Sequence, residues 1–291
     1  MYLKSLLLLA ISCTVCSCNS TTQSEDKTEK TVSTVPVLEK LWETDTTLIT
    51  PESVLFDAAK NLYYVSCIGG LPPELKDGDG YIAKISSTGE ILENHWVTGL
   101  DAPKGLAMIG KTLFVTDIDM IVAIDTETGK VLSKQKVNGA TFLNDADASP
   151  DGQLYITDSD QNTVYQVSQK SADPVLIDST LGRLNGILLE SGHSILAGFN
   201  SGKIFSVSSD QLTVLTDSIF SADGIEKYKD GYLISSWAGR VYHLSNGGNR
   251  TKLLDTESAG MNAADIEVVE NQNILLVPTF LANKVVAYKI K

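Results

Sequence analysis

Apolar residues along this chain recur in short alternating runs, not at helical spacing. NLYYVSCI, TLFVTDI, QLYITDS, SILAGFN, YLISSWA and NILLVPT are six copies of one run, rich in aromatic and β-branched residues. A second run follows each at short range: YIAKIS, MIVAID, TVYQVS, KIFSVS, RVYHLS and KVVAYK. Period-two alternation of these residue types predicts β-strands. A third set leads each pair (PESVLFD, PKGLAMI, LNDADAS, LNGILLE, ADGIEKY and ADIEVVE), and a fourth trails the first five, as in ILENHWV, KVLSKQKV and TKLLDTES.

Aligning the leading runs puts Glu52, Lys104, Asn144, Asn185, Asp223 and Asp265 in register, at steps of 52, 40, 41, 38 and 42 residues. Six units of four strands at a near-constant period predict an all-β chain folded as a six-bladed β-propeller. The sixth unit reaches Lys291 one strand short, and PVLEKLWETD, residues 36–45, resembles the other fourth strands. The last blade is therefore expected to be closed by the N-terminal strand of the body, which removes a free sheet edge. The long first step comes from GGLPPELKDGDG, residues 69–80, between the second and third strands of unit one. That loop shares a face with the leading positions, so it is expected to hang over one mouth of the central channel as a lid.

Composition narrows the partners. The 291 residues carry 36 Asp and Glu against 23 Lys and Arg, a formal charge of −13. So acidic a body is repelled by nucleic acid and by anionic lipid headgroups, which excludes both as direct partners. Residues 1–17 read as a lipoprotein signal peptide: Lys4 supplies a positive start, and Leu6 to Ile11 form an apolar run too short to span a bilayer. Val15-Cys16-Ser17-Cys18 resembles a bacterial lipobox, which makes Cys18 the lipidated residue. Residues 18–34 then form a flexible polar tether and 35–291 the propeller. This places the chain on a bacterial cell envelope membrane, with its body in the periplasm or at the cell surface and membrane contact only through the anchor. Cys67 is the sole thiol left in the body, so no intramolecular disulfide is expected.

All six leading residues are polar, and in a propeller that position looks into the channel. Convergent polar groups in a concave mouth make a ligand site. Three carboxylates gathered there repel one another and call for a cation. Carboxylate and amide oxygens suit one divalent metal, calcium first, with magnesium, manganese or zinc as alternatives. His95, His193 and His243 lack metal-ligand spacing, and no Gly-x-Ser-x-Gly or phosphate-cradling loop occurs. Phe199, Trp237 and Phe280 fall in the loops after the second strands, where rings suit a small cyclic substrate. Asp117 and Asp158, at equivalent places, read as turn residues.

With Glu52 leading the first blade, Asn144-Asp145 the third, Asn185-Gly186 the fourth and Asp223-Gly224 the fifth, the whole body resembles the regucalcin/gluconolactonase (senescence marker protein) family. The resemblance implies that Glu52, Asn185 and Asp223 ligate one divalent metal and that Asn144 faces the substrate. It implies lactone hydrolysis, with the metal polarising the carbonyl and Asp223 or a neighbour taking the proton from water. Pro51-Glu52-Ser53 stands where Glu-Gly-Pro is usual, and Phe142-Leu143 where an arginine is often found. Lys104 is a further departure. Its ammonium either replaces the metal, pairing with Glu52 or Asp265, or acts beside it as electrophile or proton donor to a leaving alkoxide.

The expected catalytic group is thus Asp223, Asn144 and Lys104, with Asn144, Asp265, Phe199, Trp237 and Phe280 as substrate contacts. Two functions follow. One is a monomeric, lipid-anchored, metal-dependent hydrolase of a sugar lactone or related cyclic ester. The other is a non-catalytic propeller that binds a glycan, peptide or protein partner, with Lys104 in place of the metal.

Overall fold

The computed structural model describes residues 35–209 and 211–291. The signal peptide, Cys18 and the tether expected over residues 1–34 lie outside the described residues. The first strand, β1 (Leu38–Glu43), precedes the first full blade. Blade one is β2 (Pro51–Asp57), β3 (Leu62–Cys67), β4 (Gly80–Ser86) and β5 (Ile91–Leu100). Blade two is β6 (Pro103–Ile109), β7 (Thr112–Asp117), β8 (Met120–Asp125) and β9 (Val131–Lys136). Blade three is β10 (Leu143–Ala148), β11 (Leu154–Asp158), β12 (Thr163–Val167) and β13 (Ala172–Ile177). Blade four is β14 (Leu184–Glu190), β15 (His193–Gly198), β16 (Ile204–Ser208) and β17 (Gln211–Thr216). Blade five is β18 (Ala222–Tyr228), β19 (Gly231–Ser236), β20 (Arg240–Ser245) and β21 (Arg250–Asp255). Blade six is β22 (Glu267–Val269), β23 (Ile274–Pro278) and β24 (Val285–Ile290), completed by β1.

Every blade is an antiparallel sheet of four strands, as the repeat predicts. First strands of neighbouring blades touch around the ring, so they are the innermost. The residue two past each leading position in blades one to five is apolar and buried (Val54, Leu106, Ala146, Ile187 and Ile225), as is Ile266 in blade six. Each of these six belongs to a different hydrophobic cluster, and each cluster fills the space between two blades. The propeller thus has six wedge-shaped cores in place of one, and the channel between them is free to carry polar groups.

Closure follows the expectation. β1 runs antiparallel to β24, with Leu38 opposite Ile290 and Glu43 opposite Val286. Beyond the strands, Val37 and Lys291 exchange both backbone bonds, at 3.0 and 2.9 Å.

Hydroxyls on the second strands stitch adjacent blades together. Thr116 Oγ1 donates to Asn144 O, Thr157 Oγ1 to Asn185 O at 2.7 Å, and Ser235 Oγ to Ala264 O at 2.7 Å. The same contact corrects the sequence register in blade six. The residue equivalent to Asn144 and Asn185 is Ala264, and Asp265 stands one step deeper, level with Asp145. Both Gly105 and Gly224 confirm the level, because a Cβ on them would meet Asp145 Cα and Asp265 Cα.

Candidate functional site

Five of the six aligned polar residues converge at the mouth. Glu52, Lys104, Asn144, Asn185 and Asp223 line one cavity of about 180 Å³, floored by these side chains and walled by Ile68, Pro73, Phe142, Phe199, Trp237 and Phe280. All five floor residues are buried. The three ring residues expected as substrate contacts are therefore in place, with Trp237 and Phe280 edge-on at 5.7 Å. Asp265 is not. It accepts from Ser53 Oγ at 2.6 Å and lines a second, deeper cavity, so a direct substrate contact at the mouth is withdrawn for it.

Local backbone sets three floor residues apart. Thr50, Arg183 and Ser221, each two residues before Glu52, Asn185 and Asp223, hold left-handed φ of 46°, 59° and 58°. Non-glycine residues adopt this conformation at a cost, and such strain gathers at functional sites. The carbonyl of each accepts an N–H from the residue just past the second strand of its blade, a bond that Phe142 O also makes with Ser159 N, at 3.0 Å, without the left-handed turn. Ile68 N donates to Thr50 O at 3.1 Å, Phe199 N to Arg183 O at 3.0 Å and Trp237 N to Ser221 O at 2.8 Å. The leading positions of blades two, three and six, at Lys104, Asn144 and Ala264, have no such kink before them. One geometry therefore serves the three residues expected as ligands.

Hydrogen bonding at the floor is incomplete in one direction. Glu52 Oε2 and Asn185 Oδ1 are buried acceptors without a donor. Burial, with Asp223 and Asp265 nearby, pushes the Glu52 carboxyl well above its ordinary range, and Lys104 only partly opposes this. Burial and then Asp265 do the same to Asp223, and the Asn185 side chain beside it partly opposes the rise. Two raised carboxyls and two unsatisfied oxygens make a site that lacks positive charge.

Lys104 does not supply it by contact. Its Nζ donates to Ala102 O at 2.9 Å and Pro73 O at 3.2 Å, and lies 4.5 Å from the Phe142 ring centre. Among the described residues it forms no ion pair, so pairing with Glu52 or Asp265 is not realised. Burial lowers the amine to about 8, with Glu52, Asp117 and Glu74 opposing. The bond to Pro73 also ties the insert to the floor, and Pro73 lines the cavity, so the insert reaches the mouth at that residue. Further along the insert, Lys76 pairs with Asp119 at 2.6 Å and Asp79 accepts from Gly70 N at 2.7 Å.

Asn144 Nδ2 donates to Ser159 Oγ at 3.0 Å, which fixes its amide at the cavity wall. Asp158 is the turn residue it resembled, accepting from Asp160 N and Gln161 N at 3.0 Å, whereas Asp117 bonds the loop that enters its blade. Asp117 accepts from Asp101 N and Ala102 N, and Asp158 from Thr141 N and Phe142 N. The histidines stay outside the cavity: His95 stacks on Tyr81 at 4.1 Å, and His193 meets Glu190 at 3.0 Å. Cys67 is buried, and its thiol is pushed up to about 12.

Sequence reasoning missed Pro73, Ser159 and Arg183 as wall residues, because each lies in a loop whose path the repeat does not specify. It also missed the acids below the mouth, apart from Asp265, which it set one level too high. Asp145, Asp147, Glu226, Asp265 and Glu267 line the deeper cavity, and burial raises every one of them. The signal was present in LNDADAS, where acids sit one and three past the leading position.

No family model matches the chain, and no curated protein matches its sequence. Solved structures match its fold. A gluconolactonase from Xanthomonas campestris, XC5397, superposes with a TM-score of 0.65 at 14% identity, over 87% of this chain and 89% of its own. Virginiamycin B lyase from Staphylococcus aureus, solved with quinupristin, gives 0.60 at 14% identity, over 88% and 99%. A chain of a nidogen/laminin complex gives 0.57 at 16% identity, over 72% and 84%. What these share with the present chain is the β-propeller fold, with a gluconolactonase among the proteins that carry it.

Proposed function

We propose that this chain is an exported, lipid-anchored hydrolase that opens a lactone at the propeller mouth, with one divalent cation held by Glu52, Asn185 and Asp223. The observation that carries the proposal is the pair of buried acceptors without donors, Glu52 Oε2 and Asn185 Oδ1. A buried oxygen left unpaired costs ~1–3 kcal/mol, and a cation removes that cost for both at once. Two carboxylates and an amide oxygen form a hard donor set, which favours calcium, then magnesium or manganese, over zinc. Such a cation, when bound, supplies Lewis-acid polarisation of a carbonyl oxygen and acidifies water.

The remaining roles belong to this chain's own side chains. Asn144, fixed by Ser159, orients the substrate. Asp223, or a neighbouring carboxylate, takes the proton released by water. Lys104, with its amine brought to about 8, holds a proton for the ring oxygen as it leaves. The likeness to a gluconolactonase structure supports this reading through the fold. The alternative, a binding propeller with Lys104 as the resident cation, is disfavoured because both Lys104 hydrogen bonds go to backbone carbonyls.

Mass spectrometry of residues 35–291, purified without chelator, should find one divalent ion per chain. Glu52→Gln and Asp223→Asn should each weaken calcium binding by ~10-fold or more in calorimetry and leave the β spectrum intact. Unchanged affinity in both would remove the ligand assignment.

A further inference from the structure

Exposed large apolar side chains fall into two groups on this molecule. Most stand on the outermost strands or on the segment leading into β1. The other five, Ile49, Leu71, Leu75, Phe220 and Leu281, all stand in loops of the mouth face. Among the described residues, the loops of the opposite face carry none. Single exposed apolar residues are ordinary, but confinement to the rim of a ligand site is not.

Each of the five adjoins the cavity wall. Leu71 and Leu75 lie two residues either side of Pro73, and Leu281 follows Phe280. Phe220, 63% exposed, precedes Ser221, whose N–H donates to Phe199 O at 2.8 Å. Ile49 O accepts from Gly69 N, next to Ile68. Each rim residue is thus tied to a wall residue by the chain or by a backbone bond, above a polar floor.

The wall offers little to a hydroxylated substrate. Its two polar side chains are already engaged: Ser159 Oγ with Asn144, and the Arg183 guanidinium with Asp160 and with the faces of Phe142 and Phe199. Ring hydroxyls turned to that wall would meet carbon without partners, at ~1–3 kcal/mol for each one left unpaired. At about 180 Å³ the cavity is also smaller than the ~300–1,000 Å³ of ordinary ligand pockets, so it holds a ring and little more. Any substituent must lie across the rim.

We propose that the mouth takes a lactone bearing an unbranched alkyl chain, with the ester ring on the Glu52, Asn185 and Asp223 floor and the chain across Ile49, Leu71, Leu75, Phe220 and Leu281. This rests on the hydrolase reading above and replaces the sugar lactone by an aliphatic one. In turnover, water adds to the acyl carbon, the ring C–O bond breaks, and the alkoxide takes a proton. The product is one hydroxycarboxylate, with one proton released to solvent.

The test uses residues 35–291 with calcium, in a pH-stat, on γ-butyrolactone, γ-octalactone, γ-dodecalactone and D-glucono-1,5-lactone. kcat/KM should rise roughly threefold per methylene along the aliphatic series until the rim is covered. Phe220→Ser with Leu281→Ser should cut the ratio of γ-dodecalactone to γ-butyrolactone turnover about tenfold. Binding is read separately from Trp237 fluorescence, using 5-octyl-2-pyrrolidinone, an unreactive lactam, against 2-pyrrolidinone, with Trp237→Phe as the blank.

A preference for the gluconolactone over every alkyl lactone overturns this inference and leaves the hydrolase standing. If no lactone is turned over but the octyl lactam binds at least ~30-fold tighter than its parent, the hydrolase falls and the apolar subsite stands. Equal affinity for the two lactams overturns the subsite. So does a Phe220→Ser, Leu281→Ser pair that changes only sedimentation with phosphatidylcholine vesicles and not the chain-length ratio.

Discussion

Lys104 shows how much one side chain can change a shared floor. Its charge faces Glu52 through the cavity without touching it, and its hydrogen bonds go to Ala102 O and Pro73 O. Replacing it by alanine removes a positive charge that competes with a cation for the same carboxylates. Calcium should then bind about 10-fold tighter in calorimetry, and weaker binding would contradict the competition. At this scale the mouth was largely legible, because each innermost strand of blades one to five turns its second residue into the channel whatever its neighbours do. Asp265 was misread for a specific reason. Ala222-Asp223 and Ala264-Asp265 are the same dipeptide, and the Ser235 bond to Ala264 O, with the close approach of Gly224 to Asp265, shows that blade six is set one residue later.

Between residue and fold stand the stitched strands. Thr157 Oγ1 donates to Asn185 O at 2.7 Å and accepts from Asp145 N at 3.0 Å, so one hydroxyl positions a proposed ligand and an acid of the deeper cavity. Thr157→Val keeps the shape and strands both partners, at about 2 kcal/mol. The variant should melt lower, and its calcium affinity should fall several-fold although it touches no ligand; an unchanged affinity would mean the stitch serves stability alone. The strands themselves were readable because alternation and β-branched content agree in every unit. The loops were not. The insert at 69–80 was expected over the mouth, but nothing in its composition showed that Pro73 would be the residue held by Lys104.

For the molecule as a whole, the six-fold repeat made the architecture legible: six wedge cores and a strand borrowed from the N-terminal side follow from one period and one missing strand. The acid-lined channel was not, since it depends on which face of each innermost strand turns inward. Burial raises Asp147 to about 6 and Glu267 to about 8. A carboxyl raised in the folded state keeps a proton that the unfolded chain gives up. Its contribution is therefore present at low pH and lost as pH climbs from the ordinary carboxylate range through about 8. In chelator, the melting temperature should drop by ~3 °C or more between about pH 5 and pH 8. Glu226→Gln, which removes one of the crowded acids, should flatten that slope, and a melting temperature that rises over the window would contradict the buried-acid account.

The pairing of β1 with β24 also has a meaning in time. A chain is made from its N-terminal end, and blades one to five can assemble from neighbouring segments as they emerge. β1 has no partner during that interval, because β24 is the last strand to appear. Until it does, the five blades form an arc with a bare apolar face at either end and β1 unpaired, the state most open to association with another chain. Shutting the ring joins the most distant segments of the body, so it carries the largest loop-closure cost and comes last. The order of manufacture thus makes the seam between β1 and β24 the place where a newly made chain is most exposed to aggregation.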